Sequence, residues 1–240
     1  MKAAGLSHIG YFRENNEDSY FYDKDIGLFI LCDGMGGHLA GEVASGLAVE
    51  TVKREVTAHL KEKEPVAVLR QAIEKANLAI WQKSHEAEQF KEMGTTMTVA
   101  LIDGRVLIVA HVGDSSLYVF DKDQCGKITH DHTLAETMRK EMPEKDETEF
   151  NAYNHVLMRA LGMEPQIRID FFSRDLTGEE TILLASDGLT DLLDQEEISE
   201  LMRKPESVEE KAQTLVDAAL AKGGYDNITV VLVQLNEGGR

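Results

Sequence analysis

The sequence predicts an α+β fold in which antiparallel sheet and helix stack in layers. Two observations carry that expectation. Strand-like runs precede and follow paired helical segments instead of alternating with them one by one, as a doubly wound parallel sheet would require. In the middle of the chain, Asp103-Gly104 separates two apolar runs at residues 95–102 and 106–112, a strong short-range hairpin signal, and a third run at 117–120 extends it into a meander.

Taken in order, residues 19–23 and 27–32 read as two strands joined by Lys24-Asp25-Ile26, and the second is apolar throughout, as a strand covered on both faces must be. A glycine-rich loop, Gly34-Met35-Gly36-Gly37-His38, follows it. Helical periodicity runs from Gly41 to about Lys63 and again from Pro65, a good first-turn residue, to about Glu88, with Leu69, Ile73, Ala76 and Ile80 on one face. After the meander, residues 132–142 form a short helix. Residues 143–154 are charged with few apolar anchors, so a mobile flap is expected over about 133–155. Strands at 167–173 and 181–185 lead into Ser186-Asp187-Gly188. Two helices near 196–203 and 207–222 come next, the second opened by a Ser207/Glu210 capping box, and a strand at 228–233 closes the pattern.

The chain has 240 residues and no linker rich in Pro, Ser or Gly, so residues 1–236 read as one domain with a polar tail at 237–240. At 42% hydrophobic and 28% charged residues, a core can form without disulfides or structural metals. A formal net charge of -18 disfavours nucleic acid and anionic membranes as partners. Cys32 and Cys125 make neither a CxxC pair nor a disulfide framework. With no apolar signal core at the N-terminus and no run approaching the ~20 residues of a spanning helix, a cytoplasmic protein is expected.

Asp33, Asp114, Asp187 and Asp226 each stand where an apolar run meets a turn. Carboxylates drawn to one sheet edge repel unless cations neutralise them, so this placement points to bound divalent ions. A single Asp-Gly is more often a turn cap, but four aspartates at strand ends outweigh that reading.

Asn15-Asn16-Glu17-Asp18, Asp33-Gly34-Met35-Gly36-Gly37-His38 with Gly41-Glu42, Gly94-Thr95-Thr96, Gly113-Asp114-Ser115, Arg159-Ala160-Leu161-Gly162, Ser186-Asp187-Gly188-Leu189 and Asp226-Asn227-Ile228-Thr229 occur in that order. Together they resemble the metal-dependent protein phosphatases, also called protein phosphatase 2C, in their compact bacterial form. The resemblance implies a four-layer αββα sandwich, two central antiparallel sheets flanked by helix pairs, with a metal site at one edge between the sheets. It implies a single catalytic domain that hydrolyses phosphoserine and phosphothreonine on proteins by direct attack of a hydroxide bridging two ions.

By the same resemblance Asp33 bridges two Mg²⁺ or Mn²⁺ ions, Asp187 and Asp226 hold the first, and the Gly34 carbonyl helps hold the second. Asp18 acts through water, Asp114 joins Asp187 at a third ion, and Glu17 is either a ligand or a hydrogen-bond acceptor behind the ligands. Oxygen donors suit such hard ions. Arg13 matches the family's phosphate-binding arginine, whose guanidinium grips two oxygens at once. Met35 stands where eukaryotic members carry a histidine proton donor, which leaves His38 as the nearest candidate acid. Ser116 replaces an arginine common in the family. The expected partners are phosphoproteins made by a Ser/Thr kinase, the kinase itself among them, and the expected state is a monomer.

Other phosphatase chemistries fail on residues. Six positions after Cys32 and Cys125 stand His38 and Asp131, not the arginine of a cysteine phosphatase, and Asp121-Lys122-Asp123-Gln124-Cys125 departs from an aspartyl-phosphate motif. A catalytically silent phosphoprotein- or metal-binding module and an acidic calcium buffer are the competing readings. Hydrolysis separates both from an enzyme.

Overall fold

A computed structural model describes residues 1–36, 40–121 and 124–235. One sheet runs β1 (Lys2–His8), β11 (Ile228–Gln234), β10 (Thr181–Ala185), β7 (Ser116–Phe120), β8 (Cys125–Lys127). The other runs β2 (Asp18–Asp23), β3 (Leu28–Met35), β5 (Met97–Asp103), β6 (Val106–Val112), β9 (Asp170–Asp175), and β4 (Gly94–Thr95) pairs with the end of β3. Every pairing is antiparallel. Helices α1 (Ala40–His59) and α2 (Pro65–Ser84) cover the β2–β9 sheet, and α5 (Gln195–Met202) and α6 (Val208–Ala221) cover the other. Two further helices, α3 (Leu134–Glu141) and α4 (Asp187–Thr190), lie in connections.

The period-two alternation of a strand explains why β3 is apolar at consecutive positions. Leu28, Ile30 and Cys32 pack with Ala44, Val52 and Ile73 under the α1/α2 layer. Phe29 and Leu31 face the other way and meet Ile182, Leu184, Val231 and Val233 between the sheets. In β11, Ile228, Val230 and Leu232 pack towards Leu215 and Ala219 of α6. The result is the expected order of helix, sheet, sheet, helix. Phe29 has no exposed surface, so truncating it to Ala would cost about 3–5 kcal/mol in lost burial and cavity.

Several boundaries differ from the sequence expectation. β3 continues to Met35 because β4 pairs with Gly34 and Met35, so Asp33 stands inside a strand and not beyond its end. Asp103 pairs with Val106, which leaves Gly104-Arg105 to close the hairpin. Gly104 takes φ 61°, the positive value a type II′ turn asks of its first central residue. β9 starts at Asp170 because β6 offers it partners only from His111 onwards. β1, β4 and β8 were not expected, and α1 and α2 stop at His59 and Ser84, short of the expected ends. Residues 143–154 hold two 3₁₀ turns around Phe150, which is 1% exposed and anchors the segment. Both capping boxes form, Ser207 with Glu210 as expected and Asp194 with Glu197 in addition. Residues 237–240 and His38 lie outside the described residues. Among those described, no helix is long and apolar enough to cross a membrane.

Candidate metal centre

The sheets bring the acidic residues to one edge from both layers. Asp18 opens β2 directly opposite Asp33 in β3. Asp114 follows β6, Asp187 opens α4 after β10, and Asp226 precedes β11. Asp18 is 9% exposed, yet neither of its carboxylate oxygens has a hydrogen-bond partner, and Asp187 Oδ1 is likewise buried and unpartnered. The hydroxyls of Thr229 and Ser186 lie beside Asp18 and ease its ionisation, but each has another contact, Thr229 Oγ1 at 2.7 Å from Ser7 Oγ and Ser186 Oγ donating weakly to the Asn227 carbonyl.

Electrostatics show how closely the group is drawn together. Burial, then the charges of Asp18, Asp187 and Asp114, hold the Asp33 carboxyl well above the usual carboxylate range. Burial pushes Asp18 up to about 7, with Asp187 and Asp226 adding to the shift. Asp114 is raised by burial and then by Asp187 and Asp131, and Asp187 by burial and then by Asp226. Four clustered carboxyls that resist ionising, Asp18, Asp33, Asp114 and Asp187, with orphaned oxygens among them and Asp226 beside them, form a site one or more cations would neutralise. Their oxygens are the hard donors that Mg²⁺ and Mn²⁺ prefer, so the residues present fit such ions.

Asn227 ties this edge together. It is 4% exposed, its Nδ2 donates to the carbonyls of Ile9 (2.9 Å) and Asn15 (3.0 Å), and its Oδ1 accepts from the Glu17 amide (2.8 Å). The Glu17 carbonyl in turn accepts from the Gly34 amide at 3.1 Å and from Ser45 Oγ at 2.6 Å. Two glycines make this approach possible. A Cβ on Gly34 would lie 2.3 Å from the Gly41 carbonyl oxygen, and one on Gly188 would lie 2.1 Å from that of Asn227. The Glu17 side chain packs against Gly41 near the start of α1, and burial raises its pKa. Asp33 is held by its backbone, with its amide donating to Thr96 Oγ1 (2.9 Å) and its carbonyl accepting from Thr95 Oγ1 (2.8 Å) and the Thr96 amide (2.8 Å).

Arg13 lies in the turn after β1, half-exposed, and its Nη2 donates to Asp226 Oδ2 at 2.6 Å. That bond raises its pKa further. The expected residues Arg13, Glu17, Asp18, Asp33, Gly34, Asp114, Asp187 and Asp226 therefore share one region. Sequence reasoning missed Asp191 and His155. Each offers a donor atom that, with one from Asp187, lies within 4.8 Å of the others, and His155 Nδ1 is 3.2 Å from Asp191 Oδ2. Burial and then Asp187 push Asp191 up to about 6. The spacing of Asp187 and Asp191, four residues apart across a helical turn, was the signal available for one of the two.

The protein phosphatase 2C family model matches residues 4–223. This chain belongs to the protein phosphatase 2C family. Among its relatives, the serine/threonine phosphatase stp of Listeria innocua serovar 6a is 35% identical over 243 residues, covering 98% of this chain and 96% of the relative. The crystal structure of the Mycobacterium tuberculosis serine/threonine phosphatase PstP/Ppp superposes with a TM-score of 0.88 at 36% identity, covering 98% of this chain and 99% of that one. A structure of the PstP catalytic domain in complex with two manganese ions gives a TM-score of 0.85 at 36% identity and covers 98% of each chain. The family's two-sheet sandwich is the fold seen here.

Proposed function

We propose that this protein is a metal-dependent protein phosphatase that hydrolyses phosphoserine and phosphothreonine on proteins. The observation that carries the reading is the cluster of carboxylates at the sheet edge, with buried, unpartnered oxygens on Asp18 and Asp187, in a chain whose relatives are named serine/threonine phosphatases. Asp33, Asp187, Asp226 and the Gly34 carbonyl would hold two Mg²⁺ or Mn²⁺ ions, with Asp18 behind them, and Asp114 with Asp187 would hold a third. When bound, such ions neutralise the cluster and make water acidic enough to attack phosphorus at neutral pH.

The chain's own residues define the rest. Arg13 presents a two-pronged donor at the rim of the cluster, suited to two equatorial phosphate oxygens, and its bond to Asp226 must open for it to grip them. Water attacks phosphorus in line and the bond to the Ser or Thr oxygen breaks, without a phosphoenzyme. No cysteine thiolate serves as nucleophile, because Cys32 is fully buried and burial raises the thiols of both Cys32 and Cys125. Glu17 acts from behind the ligands through its carbonyl and its contact with Gly41. His38 remains the proposed proton donor to the leaving group; if His38→Gln keeps the acidic limb of the pH–rate profile, water is the donor instead. Residues 1–236 serve as one catalytic domain, with about 133–155 as a flap over the cleft. It works in the cytoplasm as a monomer, in signalling, on proteins phosphorylated by a Ser/Thr kinase and on the kinase itself.

The decisive test is hydrolysis of a phosphothreonine peptide with Mn²⁺. A chelator and Asp33→Asn should each abolish it. No turnover at saturating metal would make the chain a binding module.

A further inference from the structure

We propose that Tyr11, Phe12 and Tyr225 form an aromatic platform on the rim of the cleft, which takes an apolar side chain lying within about three residues of the phosphorylated Ser or Thr. This rests on the phosphatase reading above and names a feature of the substrate that it leaves open. The three rings are 65%, 67% and 60% exposed, above every other exposed large hydrophobic side chain of the described residues, of which Met158 comes next at 53%. Scattered apolar side chains on a surface need no explanation. Three large rings gathered on two adjoining turns do.

The cluster is built and held. Phe12 and Tyr225 stand 5.3 Å apart between ring centroids at 33°, and Tyr11 at the margin of this pair meets the His8 ring edge-on at 6.2 Å. The Tyr11 amide donates to the Gly224 carbonyl at 2.8 Å, locking the turn after β1 to the turn before β11. Gly10 and Gly223 let the turns close: at φ 79°, a Cβ on Gly10 would lie 2.3 Å from the Asp226 carbonyl oxygen, and at φ 133°, one on Gly223 would lie 2.5 Å from the Tyr225 ring. Small polar residues would close the same two turns without leaving rings in water.

Position selects the occupant. Phe12 directly precedes Arg13 and Tyr225 directly precedes Asp226, and the Arg13–Asp226 bond closes the same rim. A phosphate gripped by Arg13 therefore carries the flanking residues of its polypeptide across the rings. An extended chain advances about 3.3–3.6 Å per residue, so positions one to three away from the phosphorylated residue reach them. The strongly acidic protein disfavours an acidic flanking side chain, and Arg13 is already paired with Asp226, so the rings themselves carry no charge to read. An apolar side chain is what remains, and aromatic rings offer it large contact area at low entropic cost.

The test compares wild type with Phe12→Ser, Tyr225→Ser and the double variant, all with saturating Mn²⁺, on 4-nitrophenyl phosphate and on phosphothreonine peptides flanked by Leu, by Ala or by Lys. The double variant should lose about tenfold in kcat/KM on the Leu-flanked peptide, through KM, with changes under about twofold on the Ala-flanked peptide and the small ester. Tyr11→Ala, one residue farther from Arg13, should show a smaller loss with the same selectivity. Equal losses on the Leu and Ala peptides, no loss, or a loss greatest on the Lys peptide would overturn the platform. So would a wild-type dimer in sedimentation that the variants dissolve, since the rings would then be covered by a second copy. A wild type that hydrolyses the small ester but no phosphopeptide defeats the protein-phosphatase reading itself, and the platform with it.

Discussion

Asn227→Ala tests how the metal edge is held together. The side chain makes three hydrogen bonds to backbone groups of Ile9, Asn15 and Glu17, and it sits between Asp226 and the start of β11. At a net ~1 kcal/mol each, their loss amounts to about 3 kcal/mol, and leaving buried backbone groups unpaired raises the figure towards about 5 kcal/mol. For a domain of this size each kcal/mol lowers the melting temperature by roughly 2–4 °C, so calorimetry should show a fall of roughly 6–20 °C. The tether also sets the positions of Arg13, Glu17 and Asp18, so Mn²⁺ should raise the melting temperature of the variant less than that of the wild type. Asn227→Asp keeps the shape and the acceptor to Glu17 but loses both donors and adds a charge to an acidic cluster, so its metal-free form should be at least as unstable. A loss below about 1 kcal/mol in urea unfolding, with an undiminished Mn²⁺ response, would refute the tethering argument.

Other outcomes follow from the same geometry. Asp33→Asn should make the metal-free protein more stable, because one repelling carboxylate is gone, and should remove most of the Mn²⁺-induced rise in melting temperature; a destabilised metal-free variant would count against the repulsion. Arg13→Ala should raise KM for a phosphothreonine peptide by about 10–100-fold and leave Mn²⁺ affinity equal or tighter, since Asp226 loses its competing partner; unchanged kinetics would remove Arg13 from the site. Gly188→Ala should cost about 3 kcal/mol or more, read by thermal melting, because the new Cβ meets the Asn227 carbonyl at 2.1 Å. His111 is fully buried and its pKa is lowered to about 3, chiefly by burial. Its stability contribution is complete above the unfolded value of ~6.5 and is lost as pH falls towards about 3, at about 1.4 kcal/mol per unit. His111→Gln should flatten that acid slope relative to wild type, and identical slopes would show that the imidazole does not set it.

Much of the architecture could be read from the residues because local pattern and global packing agree there. Residues 28–32 are apolar at every position because helices cover one face and the second sheet the other, and Thr181–Ala185 was expected in full for its own unbroken apolar run. The unexpected strands lack such a pattern. Lys2–His8 carries two alanines, a glycine and two polar ends, and becomes the edge strand because β11, paired on its other side with β10, presents a free ladder from Ile228 to Gln234. The extension of β3 through Asp33 and Gly34 was hidden for a similar reason, since its partner β4 is two residues long. The aspartates that the chain brings together were visible from their places beside apolar runs and turns. His155 and Asp191 were not, because His155 reaches the cluster through the path of an irregular segment that no periodicity describes.

The acidic ring draws Asp18 and Asp33 from one layer and Asp187 and Asp226 from the opposite one. Neither half alone can present a full set of oxygens, so cation affinity should emerge only when the layers dock. Ions seated there would then rivet the two halves of the sandwich, and a loosened seam anywhere along their shared face would register first as leakage of metal.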